Sequence, residues 1–165
     1  MCKELVEKIT HDYQPEVVVG IAKGGVVPAV VISSALRIDF FPVKLSCREN
    51  ENIVREIPSV FVPPTFHLKG KRVLLIDDIC VTMHTLNLAR AEIEKMGAAE
   101  VRCATFAVHS HSRKPEWYAL NTDEIVLTPW DKEVYADGVW KLNREYAELI
   151  LDMNLEQRRT KRSKP

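Results

Sequence analysis

Two adjacent carboxylates stand at the end of a strongly apolar segment. Asp77 and Asp78 follow "VLLI" in the segment "VLLIDDICVTMHTL" of residues 73–86. Unpaired carboxylates at the end of a buried strand would be costly, so we expect them to face solvent, a cation or hydroxyl groups. The vicinal hydroxyls of a ribose fit this pair, and so does Mg²⁺ held by phosphate and sugar oxygens. The alternative is an aspartate that caps the next helix, with a spare acid beside it.

Two short stretches could bind an anion. Thr82 and Thr85 offer hydroxyls, and the helix that begins there offers backbone N–H groups to a phosphate. In the upstream turn "AKGG", Gly24 and Gly25 let the backbone approach an anion, and Lys23 adds a cation. The alternative for the first stretch is a threonine N-cap. The alternative for the "AKGG" turn is a tight turn with a solvated lysine. If the glycine pair were the only observation, this alternative would be favoured.

Helix-like and strand-like segments alternate along the chain. Apolar spacing predicts helices over 2–12, 26–36, 83–97 and 142–154, and β-branched runs predict strands over 16–21, 40–45, 71–77, 100–109 and 124–130. This alternation predicts an α/β fold with an open, mostly parallel sheet flanked by helices. Ligands of such sheets bind beyond the carboxyl ends of the strands, where the acidic pair and the glycine turn both lie.

Residues 46–69 interrupt this alternation with charges, prolines and short apolar pieces. They could form a loop or a hairpin. Long connections inside a compact domain are often lids over a ligand, and a surface excursion is an equally good interpretation. We predict a single domain over residues 1–156, followed by a basic tail over 157–165.

The composition is that of an ordinary globular protein. Hydrophobic residues make up 46% and charged residues 28% of the 165 positions, enough to build a core. Lys+Arg and Asp+Glu both number 23, but every charged residue in the tail "QRRTKRSKP" is basic. We expect it to be solvated, and a weak, salt-dependent attraction to RNA or another polyanion is the alternative. A nucleic-acid partner is therefore not expected.

The cysteines and the amino terminus predict a soluble, cytoplasmic protein without a membrane partner. No CxxC pair occurs among Cys2, Cys47, Cys80 and Cys103, so reduced thiols are expected. The first residues are too charged for a signal peptide, and the apolar run over 26–36 is too short to span a bilayer.

Three segments together resemble a known family. "IDDICVTMHT" resembles the phosphoribosyl pyrophosphate (PRPP) motif of the type I phosphoribosyltransferases, and "AKGG" resembles that family's pyrophosphate loop. "NTDEIVLTPWDKEV" resembles the C-terminal hood of its bacterial and archaeal xanthine/guanine/hypoxanthine members. The three follow the family's order and spacing, which makes the match specific. The resemblance implies the family's α/β fold with a small hood at about 110–141 and a flexible loop at about 46–69 that closes over the substrate.

The resemblance also implies a role for each motif residue. Asp77 and Asp78 would hold the ribose 2′- and 3′-hydroxyls, directly or through Mg²⁺, and would be catalytic together with Lys23. The pyrophosphate would lie against Lys23, Gly24 and Gly25, at a peptide that is often cis in this family. The 5′-phosphate would lie in the turn formed by Val81, Thr82, Met83, His84 and Thr85.

The same resemblance implies a site for the base. A purine would stack on Trp130, which resembles the tryptophan of the family's Pro-Trp-acid sequence, with Asp131 as the acid. His109 is our candidate for recognising the base at a strand end where related enzymes use a lysine. Without the resemblance, Trp130 would be interpreted as a half-buried core residue. His109 and His111 could suggest a metal pair, but two histidines without a third ligand more often bind nothing.

Two residues depart from the family pattern. Val81 stands where the purine enzymes often carry an aspartate that handles the N7 proton of the base, and valine cannot transfer a proton. Met83 replaces a glycine, and a φ above zero is disfavoured for it. We therefore expect the turn to be helical at Met83, or the phosphate affinity to suffer. His84 could touch the phosphate when protonated, although a solvated histidine is the more common case.

The implied function is the Mg²⁺-dependent transfer of a phosphoribosyl group from PRPP to a purine base, giving a nucleoside 5′-monophosphate and pyrophosphate. The family also implies a homodimer or a larger assembly. Val81 and Met83 keep a second hypothesis open, a catalytically weak or inactive regulatory protein of the same fold that binds PRPP or a nucleotide. A flavodoxin-like α/β domain of other function is the third.

Overall fold

The computed structural model describes residues 1–46, 48–49, 52–53, 59–62, 68–144 and 146–151. The chain divides into two compact units, Met1–Asp123 and Glu124–Pro165. The first unit holds the main sheet, and the second holds a β-hairpin. The single domain over 1–156 stays a prediction.

The elements of the first unit alternate much as the sequence pattern predicts. Its helices are α1 (Cys2–Asp12), α2 (Val26–Leu36) and α3 (His84–Lys95). Its strands are β1 (Val17–Ala22), β2 (Asp39–Ser46), β3 (Arg48–Glu49), β4 (Asn52–Ile53), β5 (Ser59–Val62), β6 (Arg72–Cys80), β7 (Glu100–Val108) and β8 (Trp117–Asn121). The second unit has β9 (Glu133–Ala136) and β10 (Val139–Leu142), which pair antiparallel, and residues 144 and 146–151 are helical.

The main sheet has the strand order β5-β2-β1-β6-β7-β8. The strands β2, β1, β6, β7 and β8 are parallel, and β5 pairs antiparallel with β2. The predicted open, mostly parallel α/β fold is therefore confirmed. The chain places β2 on one side of β1 and β6 on the other, so the carboxyl ends of β1 and β6 form the switch point at which such sheets bind ligands.

The central strands and helices pack tightly enough to fix this edge of the sheet. The strand β6 buries the four consecutive residues Val73 to Ile76, as expected of a parallel strand covered on both faces. The helix α2 approaches β1 so closely that a Cβ added to Gly20 would lie 2.7 Å from the Cβ of Ala29. This packing fixes the amino end of α2 beside the carboxyl end of β1.

The predicted strand over residues 124–130 is wrong. The place beside β7 is taken by β8, in parallel register from Ala104↔Trp117 to Val108↔Asn121. Residues 125–128 are irregular and residues 129–130 form a turn. Pro129 has no backbone N–H to donate to a neighbouring strand, which disfavours a strand at this point.

Two further predictions are confirmed only in part. Within 46–69, β3 pairs antiparallel with β4 and β5 joins the edge of the sheet, which favours the hairpin interpretation. Residues 47, 50–51, 54–58 and 63–67 of that segment lie outside the described residues. The closing helix is observed over 146–151, whereas its predicted end and the basic tail lie outside them. None of the helices in the described ranges is long and apolar enough to cross a bilayer.

Candidate active site at the carboxyl edge of the sheet

The glycine turn between β1 and α2 packs directly on the acidic pair. A Cβ added to Gly24 would overlap the Asp78 carboxyl group. A Cβ added to Gly25 would lie 2.5 Å from the carbonyl oxygen of Ile76 and 2.7 Å from the Cα of Asp77. A side chain at position 25 would meet backbone atoms, whereas one at position 24 would have to displace the Asp78 carboxyl group. Two motifs far apart in the sequence are therefore in contact.

The same turn exposes its cation. The Ala22–Lys23 peptide is cis, as is often the case in the family that the sequence resembles. Lys23 is exposed, and its carbonyl oxygen accepts a hydrogen bond from the Val26 N–H at 3.2 Å. The helix α2 begins directly after this turn, so its amino end lies at the same edge of the sheet as Lys23.

The acidic pair places two carboxylates side by side near the end of β6. The Asp78 N–H donates to Asp77 Oδ1 at 3.0 Å, and the Ile79 N–H donates to Asp78 Oδ1 at 2.8 Å. Burial raises the pKa of Asp77 well above its usual value, and the adjacent Asp78 carboxylate raises it further. A cation placed between the two carboxylates would offset both effects.

This arrangement fits Mg²⁺ better than a cation that needs a cage of protein ligands. No group of three or more His, Cys, Asp or Glu side chains converges within the described ranges. Asp77 and Asp78 could thus supply two carboxylates and leave the other positions to water and substrate oxygens. Mg²⁺ prefers this arrangement, since it keeps several waters and takes one or two carboxylates together with substrate phosphates.

The turn between β6 and α3 lines a cavity of about 140 Å³. The acidic pair contributes Asp77 to this cavity, and the first turn of α3 contributes backbone N–H groups that have no intrahelical partners. A cavity of this size, beside helix N–H groups, suits a phosphate. Its lining residues are Asp77, Ile79, Cys80, Val81, Thr82, Met83, His84, Thr85 and Leu86.

The prediction that the turn is helical at Met83 is wrong. Its backbone is left-handed, with φ 64° and ψ −2°, and α3 begins only at His84. Its side chain is 8% exposed and belongs to the hydrophobic core. The left-handed conformation costs an L-residue roughly 1–2 kcal/mol. Burying a methionine side chain contributes about 1.5–3 kcal/mol, so burial can offset the cost.

The other side chains of this turn point outward. Val81 is 55% exposed and offers no proton acceptor to the cavity that it lines. Thr82 and His84 are also exposed, and the His84 N–H lies 3.4 Å from Thr82 Oγ1. The backbone rather than a buried side chain is therefore the main donor that this turn can present.

His109 follows β7 at the same edge of the sheet. The strand β7 pairs with β6 up to Cys80↔Val108, so His109 lies one strand away from the acidic pair. Its Nδ1 is 4.0 Å from Asp123 Oδ1, which accepts a hydrogen bond from the Ser110 N–H at 2.9 Å. That backbone hydrogen bond lowers the pKa of Asp123. The carboxylate is thus placed to orient His109.

The second unit contains the other residues predicted to bind the base. Trp130 is half-buried in a turn. The Asp131 carboxylate accepts hydrogen bonds from Asn143 Nδ2 at 3.2 Å and from the Tyr146 hydroxyl at 3.4 Å. Asp131 therefore has a structural role that the sequence reasoning did not anticipate, because it links the turn to the closing helical segment.

Sequence reasoning missed three neighbours of the site. Asp123 is the partner of His109, and Cys80 is a buried residue that lines the phosphate-sized cavity. Thr105 is fully buried, lies in register with Asp77 across β6 and β7, and its hydroxyl has no hydrogen-bond partner among the described residues. A polar residue inside the apolar run "CATFAV" was the available signal for Thr105, whereas Asp123 and Cys80 carry none.

Comparisons with known proteins agree with this geometry. Residues 1–137 match the phosphoribosyl transferase domain. The hypoxanthine-guanine phosphoribosyltransferases of Schizosaccharomyces pombe and Saccharomyces cerevisiae are 27% and 28% identical in alignments of 120 residues, which cover 62% of this chain. The matches span 58% and 54% of those two proteins, little more than half of their length.

A solved structure is also similar along most of the chain. The crystal structure of a purine phosphoribosyltransferase from Pyrococcus horikoshii OT3 has a TM-score of 0.69 and 31% sequence identity. The similarity covers 78% of this chain and 85% of that chain. A domain match over most of the sequence and a structural match at this identity lead to one conclusion: the chain belongs to the phosphoribosyltransferase family.

Proposed function

We propose that this protein transfers the phosphoribosyl group of PRPP to a purine base and releases pyrophosphate. The observation that carries the proposal is the contact between the glycine turn and the acidic pair, where Gly24 lies against the Asp78 carboxyl and Gly25 lies against the backbone at Asp77. A cation, a closely approaching backbone and two carboxylates meet at one edge of the sheet. The phosphate-sized cavity adjoins them, so the edge offers a partner for each part of PRPP.

Each part of the substrate has a proposed partner. Asp77 and Asp78 would hold the ribose hydroxyls and the Mg²⁺ ion, and the turn of residues 81–85 would hold the 5′-phosphate. The pyrophosphate would lie against Lys23 and the backbone of Gly24 and Gly25. These contacts come from rigid strand ends and helix starts, which favours a fixed position of the reacting carbon.

Catalysis would then depend on positioning and on charge. A base nitrogen attacks C1′ while the bond from C1′ to the pyrophosphate oxygen breaks, so negative charge leaves with the pyrophosphate. Lys23 and the positive amino end of the α2 dipole would stabilise that charge as it develops. Mg²⁺, when bound, would neutralise part of the pyrophosphate charge.

The proton on the attacking nitrogen has no acceptor at Val81. The base would therefore lose this proton before it reacts, or pass it to solvent or to another residue. His109 is the candidate that we propose on the protein, because Asp123 can orient its ring. This makes the reaction most favourable for bases that ionise readily.

A purine is the proposed acceptor because the relatives that the chain matches carry that specificity in their names. Trp130 of the second unit would supply a stacking surface, and any purine has a face to stack on it. Which purine is used would be decided by polar contacts at the base edge, for which His109 is the proposed partner.

The test is pyrophosphate release from PRPP and Mg²⁺ with hypoxanthine, guanine, xanthine and adenine in turn. We expect release with at least one base, and a loss of at least about a hundredfold in Asp78→Asn. Asp39→Asn is the matched control, since Asp39 is an exposed acid at the amino end of β2, opposite the site. Absence of release with all four bases would refute the enzymatic function.

A second candidate is a nucleotide-binding regulatory protein of the same fold. The exposed Val81 favours it, because the cavity lacks a carboxylate at that position. Saturable binding of PRPP or a nucleoside monophosphate, without turnover of any base, would support this function. Turnover that Asp78→Asn abolishes would exclude it.

A further inference from the structure

We propose that Met83 is a positioning residue, whose buried side chain holds the phosphate turn in the left-handed conformation that presents backbone N–H groups to a 5′-phosphate. This inference rests on the proposed function, since it assigns the means by which the same site binds one group of the substrate. It concerns an apolar side chain that packs in the core and offers the phosphate no hydrogen-bond donor.

Three attachments fix Met83 in place. Its side chain is 8% exposed and belongs to the core cluster that also contains Cys80, Leu86 and Ala89. Its backbone N–H faces the Cys80 thiol, where it partly offsets the rise that burial causes in the pKa of that thiol. Its carbonyl oxygen accepts the Asn87 N–H at 2.8 Å, in the first turn of α3. The residue is thus held from the strand side, the helix side and the core.

The resulting backbone has the geometry of an anion nest. A left-handed residue followed directly by the right-handed first residue of α3 turns successive N–H groups toward one point. The N–H groups after Met83 belong to His84 and Thr85, which line the cavity. The Met83 side chain itself is buried in the core.

The core anchor replaces the freedom that glycine would bring. Glycine adopts φ above zero without steric cost, whereas any L-residue without an anchor would tend to leave that region. The burial of Met83 supplies the compensating free energy, so the turn keeps the conformation although the glycine is missing. Losing the anchor while keeping the Cβ should therefore release the turn.

The experiment compares Met83→Ala with Met83→Gly. Both remove the anchor, but only alanine keeps the left-handed penalty. Calorimetry would measure the affinities for guanosine 5′-monophosphate and for guanosine, each with Mg²⁺, under conditions where denaturant unfolding shows every variant folded. We expect Met83→Ala to weaken binding of the monophosphate by roughly five- to thirtyfold and to leave guanosine binding unchanged. We expect Met83→Gly to stay within about threefold of the wild type for both ligands.

Two further variants separate positioning from general loss of stability. Ile93→Ala truncates a buried residue of the same helix and core, two turns from the cavity, and should lower stability without changing affinity for the monophosphate. Met83→Gln keeps the length of the side chain but makes it polar. It should weaken binding of the monophosphate as Met83→Ala does. It serves as the test if Met83→Ala does not fold.

The outcomes distinguish this inference from the proposed function. Wild-type affinity for the monophosphate in Met83→Ala and Met83→Gln would overturn the inference alone. So would equal weakening in Met83→Ala, Met83→Gly and Ile93→Ala, because a purely structural role predicts that pattern. A wild-type protein that binds the monophosphate no better than guanosine would overturn both the inference and the proposed phosphate site.

Discussion

Two strand-to-helix turns build the candidate site by opposite means. The turn from β1 to α2 gains its shape from absent side chains, since Gly24 and Gly25 leave room for Asp78 and for the backbone of β6. The turn from β6 to α3 gains its shape from a side chain that is present, because Met83 is buried beneath a left-handed backbone. The first should tolerate no added atom, and the second should tolerate a changed residue if the anchor or the conformational freedom is kept.

The glycine turn should show the largest effects. Gly25→Ala places a Cβ against backbone atoms that cannot rotate away, so we expect the free energy of unfolding to fall by about 1–3 kcal/mol. Gly24→Ala meets a side chain instead, so we expect a smaller loss of stability and a loss of turnover of at least about a hundredfold, as Asp78 is displaced. Urea unfolding and pyrophosphate release would measure the two quantities. A stable, active Gly24→Ala would contradict the contact.

The acidic pair should trade stability against function. Burial and the Asp78 carboxylate raise the pKa of Asp77, so the folded protein binds more protons than the unfolded chain once the pH exceeds the usual value of an aspartate. The charge of Asp77 therefore destabilises the ligand-free protein as the pH rises. We expect Asp77→Asn to unfold at a higher urea concentration than the wild type at pH 8, and to lose PRPP turnover.

The same variant gives a check on the sign of this effect. The difference in free energy of unfolding between wild type and Asp77→Asn should shrink as the pH falls toward 4, because the folded protein then holds Asp77 neutral and, near the usual pKa of an aspartate, keeping it protonated costs little. Urea unfolding of wild type and Asp77→Asn would be measured in EDTA at each pH, so that no divalent cation binds to the acidic pair. A variant less stable than the wild type at pH 8 would contradict the assigned charge.

The variant Val81→Asp tests whether a proton acceptor is the only group that the turn from β6 to α3 lacks for catalysis. Val81 is exposed and lines the cavity, so an aspartate there meets solvent rather than the core. If the bound base must lose a proton, we expect Val81→Asp to raise turnover of hypoxanthine by about tenfold or more, given the usual gain from general base catalysis. Val81→Asn adds a similar shape without the charge and serves as the control. An equal change in both variants would argue against proton transfer.

His84 should show the smallest effect. Its side chain is exposed, and the turn presents its backbone to the cavity. We expect His84→Gln to change the affinity for guanosine 5′-monophosphate by less than about threefold, since a single exposed charge contributes little. Calorimetric titration would measure it. A loss of tenfold or more would mean that a side chain, rather than the backbone, carries the phosphate contact.

Much of the first unit could be predicted because its local signals agree with its packing. The bounds of α1 and α2 follow from apolar spacing. In the structure, α1 ends before a tyrosine in extended conformation, and α2 ends before a left-handed residue. The buried run from Val73 to Ile76 marks the central strand. The acidic pair lies near the carboxyl end of β6, which continues to Cys80, and the glycine turn follows β1 directly, so topology alone brings them to one edge.

The failures have physical reasons too. The run over 124–130 is apolar enough for a strand, but the sheet edge is already filled by β8. The left-handed Met83 depends on core contacts that spacing does not reveal, and backbone preference alone favours the wrong conformation. The partners of His109 and Asp131 come from residues distant in sequence and carry no local signal.

The central claim is that the two turns form one site for the two phosphate ends of PRPP. A crystal structure with guanosine 5′-monophosphate, Mg²⁺ and pyrophosphate would test it most directly. The account predicts the 5′-phosphate on the backbone N–H groups of residues 82–85, the ribose hydroxyls beside Asp77 and Asp78, and pyrophosphate against Lys23 and Gly24. Nucleotide bound at another edge of the sheet, with these residues unoccupied, would contradict it.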